Sequence, residues 1–129
     1  MDNRNESHTL CDGRTLTVAP DLVGDFTRTE FADESFHLVI FDPPHLLRAG
    51  VNGWQAKKYG RLDADWQDLL RRGFAECFRV LKTNGTLIFK WHEHDIPVSR
   101  ILALTPRKPV VGNKCGKQNK THWLVFFKE

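Results

Sequence analysis

The sequence has few cysteines and no long apolar segment. Its 129 residues include three cysteines, Cys11, Cys77 and Cys115, and no two of them have CxxC spacing. An odd number of scattered cysteines argues against a disulfide framework, so we expect reduced thiols in a cytoplasmic protein. No apolar run approaches the ~18 residues of a membrane-spanning helix, and no basic segment is followed by an apolar leader. The sequence therefore predicts neither a membrane span nor a signal peptide.

Charge of neither sign dominates the composition. The chain has 19 basic and 16 acidic residues, a net charge of +3, and 40% hydrophobic residues. These proportions are typical of a globular protein, and we expect residues 1–129 to form a single domain. Several lysines collect in the last third of the chain: Lys108, Lys114, Lys117, Lys120 and Lys128. They fit a polyanionic partner, although a solvated loop surface explains them as well.

The most informative stretch is the apolar segment at residues 38–41, which runs directly into Asp42, Pro43 and Pro44. Such a segment is typical of a buried parallel strand. Two successive prolines remove two backbone donors and fix φ, so the strand must end there and the turn is stiff. An acid is thereby placed at the carboxyl end of a strand, which is the edge where open α/β sheets bind ligands.

The rest of the chain alternates between strand and helix patterns. Residues 1–9 are polar and predict a frayed terminus, and residues 48–61 predict a loop long enough to be functional. The predicted elements are, in order, a short strand at 21–26, the strand at 38–41, a helix at 66–81, a strand at 86–91, a helix at 97–104, a strand at 108–111 and a strand at 122–127. The helix at 66–81 predicts a parallel crossover between its flanking strands, and the last two strands predict an antiparallel pair.

One face of the helix at 66–81 is apolar. Its residues at i, i+3, i+4 and i+7 spacing are Trp66, Leu69, Leu70, Gly73, Phe74, Cys77 and Leu81. We expect this face to pack against the sheet. Asp63 or Asp65 is positioned to cap its start, and Asn84 or Gly85 suits the left-handed conformation after its end.

The motif Asp42-Pro43-Pro44-His45 suits a reacting group that is an exocyclic amine. Such a nitrogen is a poor nucleophile because its lone pair is delocalised into the ring. Accepting one amine hydrogen at the Asp42 carboxylate and the other at the Pro43 carbonyl localises that lone pair for attack on an electrophilic methyl group. The ring of His45 can stack on a planar substrate such as an extruded base. A strand ended by an ordinary Pro-Pro turn is the alternative interpretation.

Three stretches together resemble the Rossmann-like, S-adenosylmethionine-dependent methyltransferases, specifically the amino-methylating class with a DPP-aromatic motif. Residues 31–45 resemble its catalytic strand and motif. Residues 73–90 resemble the helix, turn and next strand of class I methyltransferases, and residues 122–127 resemble their final antiparallel strand. The resemblance implies an α/β fold of the Rossmann-like class I type, with a mostly parallel sheet and a carboxyl-terminal antiparallel strand.

The resemblance also implies a function. It implies transfer of a methyl group from S-adenosylmethionine to an amino group of a nucleobase in DNA or RNA, so a nucleic acid is the expected partner. Asp42, Pro43, Pro44 and His45 are then the catalytic residues. Two alternatives stay open: a methyltransferase-like remnant or subunit without independent cofactor binding, and a methyltransferase that acts on a small molecule.

The sequence departs from this class at two places. His45 stands where the class has Tyr, Phe or Trp, and the first strand with its glycine-rich cofactor loop has no counterpart. Asp2 is assigned the place of the ribose-binding acid, and Asp25 with Phe26 the place of the adenine contact. We therefore expect an amino-terminally truncated fold. Its sheet would be completed by another segment, by a partner chain or oligomer, or by residues encoded ahead of Met1.

Two further clusters are candidates for the site. Lys57, Lys58 and Tyr59 lie in the loop after the motif, where they can contact a phosphate and stack on a base, or simply be solvated. His92 and His94 alternate at the end of a strand and would bind zinc only with a third ligand. No spacing in the sequence supplies that ligand, so we predict no metal site and a polar rim of the substrate cleft.

Overall fold

The computed structural model describes residues 1–47, 50 and 52–129. Its elements are β1 (Glu6–Thr9), β2 (Thr15–Val18), β3 (Phe36–Phe41), α1 (Trp54–Tyr59), α2 (Trp66–Val80), β4 (Leu81–His92), α3 (Val98–Leu102), β5 (Val111–Cys115), a 3₁₀ turn at Lys117–Asn119, and β6 (Thr121–Phe127). Four strands form a sheet in the order β3-β4-β6-β5, and β1 and β2 form a separate hairpin. No helix in the described part is long and apolar enough to span a bilayer.

The sheet agrees with the predicted α/β class but not with the prediction that it is mostly parallel. β3 and β4 are parallel across α2, as predicted. β6 is antiparallel to both β4 and β5, so one of the three strand pairs described in this sheet is parallel. The closing antiparallel strand is confirmed. β6 lies between β4 and β5, and the connection from β5 to β6 contains only the 3₁₀ turn.

The core lies between α2 and one face of the sheet. The predicted apolar face of α2 is buried, and Phe74 at its centre is 1% exposed. The Phe74 ring centroid lies 5.5 Å from that of Phe41, 4.8 Å from that of Phe89 and 6.0 Å from that of Phe126. Gly73 allows Phe41 to pack closely against α2, because a Cβ at this position would lie 2.8 Å from a ring atom of Phe41.

In the part of the chain that the structure describes, the opposite face of the sheet is uncovered. In β3, Leu38 and Ile40 point to that face and are 52% and 61% exposed, whereas Phe41 points toward α2 and is buried. The prediction of a buried strand is therefore wrong for Leu38 and Ile40. The uncovered face continues across the sheet through the exposed residues Val111, Trp123 and Phe127. We call this the open face.

The amino-terminal segment forms regular structure, so the predicted frayed terminus is wrong. β1 and β2 pair antiparallel across a turn that contains Gly13 at φ 84°. Asp2 pairs with Val23 in a parallel bridge: its N–H donates to the Leu22 carbonyl, and its carbonyl accepts from the Gly24 N–H. The predicted strand at 21–26 is reduced to this single bridge.

Other element boundaries also differ from the predictions. α2 ends at Val80, and β4 begins at Leu81 and runs through Asn84, which adopts the predicted left-handed conformation with φ 68°. The predicted strand at 108–111 is instead β5, because pairing with β6 selects residues farther along the chain. α3 is shorter than the predicted helix at 97–104.

An ion-pair network joins α2 to the loop before β3. Arg79 donates hydrogen bonds to Glu76 at 2.7 Å, to Asp33 at 2.6 Å and to the Phe31 carbonyl at 2.8 Å. The Glu76 carboxylate also accepts hydrogen bonds from the backbone N–H and the hydroxyl of Thr29. The hydrogen bond from Arg79 contributes most to lowering the pKa of Glu76, and those from Thr29 add to it, so that the pKa falls to about 2.

Folding stability should therefore decrease as the pH falls from about 5 to 2. In that window the unfolded chain binds a proton at Glu76 that the folded chain does not, so lowering the pH favours unfolding until the folded pKa is passed. Glu76→Gln should lose about 1–3 kcal/mol at pH 7 and lose this part of the pH dependence. Urea unfolding across this range measures both, with exposed Glu30→Gln as the matched control. Parallel curves for the parent and Glu76→Gln would contradict the role of Glu76.

Candidate active site

β3 delivers Asp42 to the carboxyl edge of the sheet. β3 and β4 are parallel with Phe41 opposite Phe89, so the residues that follow, Asp42 and Lys90, are neighbours. Lys90 Nζ donates to Asp42 Oδ2 at 3.0 Å, and the Asp42 side chain is 49% exposed. The sequence reasoning did not identify Lys90 as a neighbour of Asp42. The parallel pairing of two consecutive strands would have indicated it, because Lys90 then lies beside Asp42. The candidate catalytic carboxylate thus lies at an open edge with an ammonium partner.

The turn after Asp42 packs toward the end of β4. Pro43 is buried and Pro44 is half-buried. The half-buried His45 ring lies edge-on to Trp91, with the centroids 6.2 Å apart, and 5.3 Å from the ring of His92. Burial lowers the pKa of His45, and the neighbouring His92 lowers it further. Both effects favour the uncharged form of the imidazole at the fourth position of the motif.

A cavity of about 810 Å³ lies beside β3. It is lined by eight of the ten predicted site residues, namely Asp2, Asp25, Phe26, Asp42, Pro43, Pro44, Lys57 and Tyr59. His45 and Lys58 are not among its lining residues. The structure therefore places the residues assigned to the cofactor and those assigned to catalysis around one cavity, whose volume is in the range of small-molecule sites.

The two acids assigned to the cofactor are held by local hydrogen bonds. Asp2 Oδ1 accepts from the backbone N–H and Nε of Arg4, and Oδ2 accepts from its guanidinium at 3.0 Å. The side-chain hydrogen bond from Arg4 lowers the pKa of Asp2. Asp25 Oδ1 accepts from the backbone N–H and hydroxyl of Thr27, and the backbone bond is the main cause of its lowered pKa. Both acids are therefore ionised and fixed in orientation.

The loop predicted after the motif contains a helix, α1. Arg4 joins the end of α1 to the amino terminus, because its guanidinium donates to the Lys57 carbonyl at 2.8 Å and the Lys58 carbonyl at 3.3 Å. Lys58 Nζ lies 5.0 Å from the centre of the exposed Tyr59 ring. A cation at the last carbonyls of a helix is favourable. Residues 48, 49 and 51 of the predicted loop lie outside the described residues.

Two histidines, His92 and His94, lie at the end of β4, and neither is among the lining residues of the cavity, so their predicted place at the rim of a substrate cleft stays a prediction. The rings of His92 and His94 are stacked with centroids 6.3 Å apart. Glu93 accepts hydrogen bonds from His122 Nε2 at 3.1 Å and from the Val98 N–H at 2.8 Å, so its carboxylate serves the start of α3. Within the described ranges, no group of three or more His, Cys, Asp or Glu side chains is placed to hold a metal ion.

Solved structures with a similar fold are longer than this chain. The PH0226 protein of Pyrococcus horikoshii gives a TM-score of 0.60 at 17% identity, over 84% of this chain and 58% of that protein. A SAM-dependent methyltransferase of Methanosarcina mazei gives 0.56 at 11% identity, over 87% and 68% of the two chains. A putative DNA modification methylase of Thermus thermophilus, in complex with S-adenosyl-L-methionine, gives 0.52 at 19% identity, over 82% and 54%. The chain has the fold of S-adenosylmethionine-dependent methyltransferases.

These similarities establish the methyltransferase fold. At 11–19% identity they support the architecture and not a particular reaction. The chain spans between about half and two thirds of the length of these proteins. Comparison with protein-family models and with curated proteins gave no match.

The cavity of this methyltransferase fold fits one half of S-adenosylmethionine. A carboxylate offers about four lone-pair sites, and the contacts of Asp25 use only Oδ1, so it can accept further hydrogen bonds from an adenosine group. Phe26 adds an aromatic surface, its ring centroid 5.2 Å from that of Phe41. Among the described lining residues, the methionine half has no matching cradle. The glycines in the described lining, Gly24 and Gly60, belong to separate segments and form no run of adjacent backbone donors.

Proposed function

We propose that this chain acts as an S-adenosylmethionine-dependent methyltransferase that modifies an exocyclic amino group of a nucleobase in DNA or RNA. The observation that carries the proposal is the position of Asp42 and Pro43 on the same cavity as Asp2 and Asp25. One acid beside a rigid carbonyl suits an amine, and two fixed acids suit adenosine hydroxyl and amino groups. A cavity shared by both sets brings two ligands into contact.

The residues of the motif act on the amine through its hydrogens. Lys90 contacts Asp42 Oδ2, so Oδ1 accepts the first amine hydrogen. The Pro43 carbonyl, on a backbone with a fixed φ, accepts the second. Accepting both hydrogens localises the lone pair on the nitrogen and raises its reactivity toward an electrophilic methyl group, and the methylated amine then gives up one of these hydrogens as a proton. S-adenosylmethionine supplies the electrophilic methyl group.

His45 contributes a planar, uncharged ring. Its edge-on packing against Trp91 and its contact with His92 hold it beside the motif. Because burial lowers its pKa, the ring stays neutral and can pack against a base without the cost of burying a charge. In this proposal His45 takes the place of the aromatic residue of the class that the sequence resembles, although it does not itself line the cavity.

A nucleic acid is the favoured acceptor for two reasons. The Thermus thermophilus protein of similar fold is named a putative DNA modification methylase. Exposed lysines also lie on α1 and around β5, where they can contact phosphates. The second candidate is a methyltransferase-like subunit without independent cofactor binding, which is favoured by the lack of a methionine cradle in the described lining.

Methyl transfer from labelled S-adenosylmethionine to duplex DNA, single-stranded DNA, RNA and free nucleosides tests the proposed function. Label on an exocyclic nitrogen of a hydrolysed base is the expected result. Label found only on carbon or on a ring nitrogen would contradict it. Calorimetric titration of the purified chain with S-adenosylmethionine distinguishes the two candidates. The second candidate requires that the chain alone shows no binding.

Binding to nucleic acid should weaken steeply with salt. Each phosphate contact that releases a counterion changes the logarithmic slope by about 0.7–0.9. The triple variant Lys114→Gln, Lys117→Gln and Lys120→Gln should reduce that slope by about 2. Lys82→Gln, at the opposite end of β4 from Lys90, is the matched control and should change nothing. Fluorescence anisotropy at several salt concentrations measures the slope, and an affinity independent of salt would indicate a small-molecule acceptor.

A further inference from the structure

Arg4 lies between the two sets of candidate site residues. Its Nε and Nη2 donate to the two carboxylate oxygens of Asp2, each at 3.0 Å. Nη1 donates to the Lys57 carbonyl at 2.8 Å, and Nη2 also donates to the Lys58 carbonyl at 3.3 Å. Asp2 is the acid assigned to the cofactor, whereas Lys57 and Lys58 belong to the helix assigned to the acceptor. One side chain therefore joins both parts of the candidate site.

The guanidinium of Arg4 is occupied by this chain. A guanidinium has five N–H donors, and four of them make the hydrogen bonds to Asp2, Lys57 and Lys58. Nη1 also lies 3.6 Å from the Glu6 carboxylate. An arginine that lines a cavity often binds the carboxylate or phosphate of a ligand. Here such an anion would have to displace an internal partner, so we infer that Arg4 holds the cavity walls together.

The position of α1 has few other constraints. The helix is six residues long, only Ala56 among its residues is buried, and its amino-terminal cap, Gly53, makes no side-chain hydrogen bond. Helices of this length are not stable by propensity alone. The last carbonyls of a helix also lack intrahelical partners, and Arg4 supplies a donor to two of them. We therefore expect the order of α1 to depend on Arg4.

The orientation of Asp2 depends on Arg4 in turn. Asp2 Oδ1 accepts from both the backbone N–H and Nε of Arg4, and Oδ2 accepts from Nη2. Since a carboxylate offers about four lone-pair sites, Oδ2 can accept one more hydrogen bond from a ligand hydroxyl. A ligand bound there leaves the pair with Arg4 intact and restricts its motion. Hydrogen bonds in such a chain polarise one another, so fixing Asp2 also fixes Arg4 and the end of α1.

We propose that Arg4 is a positioning residue that couples the orientation of Asp2 to the order of α1. A nucleoside cofactor held by Asp2 then orders the helix that presents Lys57 and Tyr59 to the acceptor. Coupling of this kind is reciprocal, so an acceptor that fixes α1 strengthens cofactor binding by the same factor. The assignment of these residues to a cofactor and an acceptor rests on the proposed function, whereas the link through Arg4 consists of hydrogen bonds within this chain.

Residue-resolved hydrogen exchange tests this link without any ligand. The backbone amides of Lys57 and Gly60 are the reporters, because they donate to the carbonyls of Gly53 and Ala56. Arg4→Gln should make both amides exchange about ten-fold faster or more, since it removes charge-assisted hydrogen bonds that hold α1. Amides of α2 should stay unchanged. Equal exchange of the reporters in the parent and in Arg4→Gln overturns the proposal.

Arg14→Gln is the matched control for the loss of an arginine. Arg14 pairs with Asp12 two residues before it, as Arg4 pairs with Asp2, but it lies at the turn between β1 and β2 with its side chain 78% exposed. Its loss should leave both reporter amides unchanged. Arg4→Lys should behave like Arg4→Gln, because one ammonium cannot bridge a carboxylate and two carbonyls as a planar guanidinium does. Full protection in Arg4→Lys would show that charge alone suffices and would overturn the proposal.

Asp2→Asn separates coupling from simple capping of α1. Within the described residues, the side-chain hydrogen bonds of Asp2 go to Arg4 and not to α1. The substitution keeps the size of the side chain and removes its charge, so the reporter amides should exchange about three-fold faster or more. Exchange equal to that of the parent would mean that Arg4 caps α1 independently of Asp2, which overturns the coupling.

S-adenosylmethionine is the probe for the step that involves the cofactor. At saturating concentration it should slow the exchange of the reporter amides in the parent and leave them unchanged in Arg4→Lys. Binding that leaves the parent amides unchanged overturns the proposal and not the proposed function. If the parent binds no S-adenosylmethionine, the proposed methyltransferase function and the cofactor step fail, whereas the ligand-free comparison still decides whether Arg4 links Asp2 to α1.

Discussion

Asp42→Ala is expected to abolish methyl transfer while the chain stays folded. In the proposed mechanism the carboxylate is one of the two acceptors that orient the amine, and removing such a group from a reaction centre costs about 100-fold or more in rate. The fold should tolerate the change because Asp42 lies beyond the last residue of β3 and half of its side chain is exposed. The lost ion pair with Lys90 is worth about 0–1 kcal/mol at such a position. Single-turnover rates and thermal unfolding measure the two effects.

A matched control separates the loss of a carboxylate from the loss of an ion pair. Asp68 on α2 is exposed and pairs with Arg72 at 3.0 Å, the same length as the pair of Asp42 with Lys90. Asp68→Ala should therefore cost a similar amount of stability and no activity. Full activity in Asp42→Ala would show that the proposed mechanism is wrong. A drop in unfolding temperature well beyond that of Asp68→Ala would show that Asp42 acts through the fold.

The position of Asp42 in the candidate site was predictable because its signals are local. An apolar segment that meets two prolines must end there, and the structure places Asp42 directly after β3. The parallel pairing of β3 with β4 followed from one helix between two strands. Lys90 was within reach of the same reasoning, since it follows Phe89 as Asp42 follows Phe41.

The amino terminus was mispredicted because its structure depends on distant partners. β1 consists of polar residues and has no apolar face to reveal it, and it forms a strand only by pairing with β2. Arg4 acquires its role only when the carbonyls of Lys57 and Lys58 come near. α1 itself is six residues long, and helices of that length are set by tertiary contacts and not by propensity.

The burial of β3 was mispredicted for a different reason. A continuous apolar segment predicts a strand covered on both faces. α2 covers the face of Phe41, and nothing in the described chain covers the face of Leu38 and Ile40. The apolar pattern of β3 therefore fits coverage of both faces, whereas the described chain covers only the face of Phe41.

Phe74→Ala is expected to unfold much of the chain. The Phe74 side chain is 1% exposed and packs among three other phenylalanine rings between α2 and the sheet. Removing a buried aromatic ring costs about 3–5 kcal/mol through lost burial and the cavity left behind. Small domains have a total stability of about 5–15 kcal/mol, so this single change removes a large share of it.

Urea unfolding followed by circular dichroism measures the loss for Phe74→Ala. Phe127→Ala is the matched control, because the same side chain lies exposed on the open face and its removal leaves no buried cavity. That variant should lose less than about 1 kcal/mol, in line with exposed substitutions. Equal losses in the two variants would mean that Phe74 does not lie at the centre of the core. The helix register that places Trp66, Leu70, Phe74 and Cys77 against the sheet would then be wrong, because all four positions follow from one periodicity.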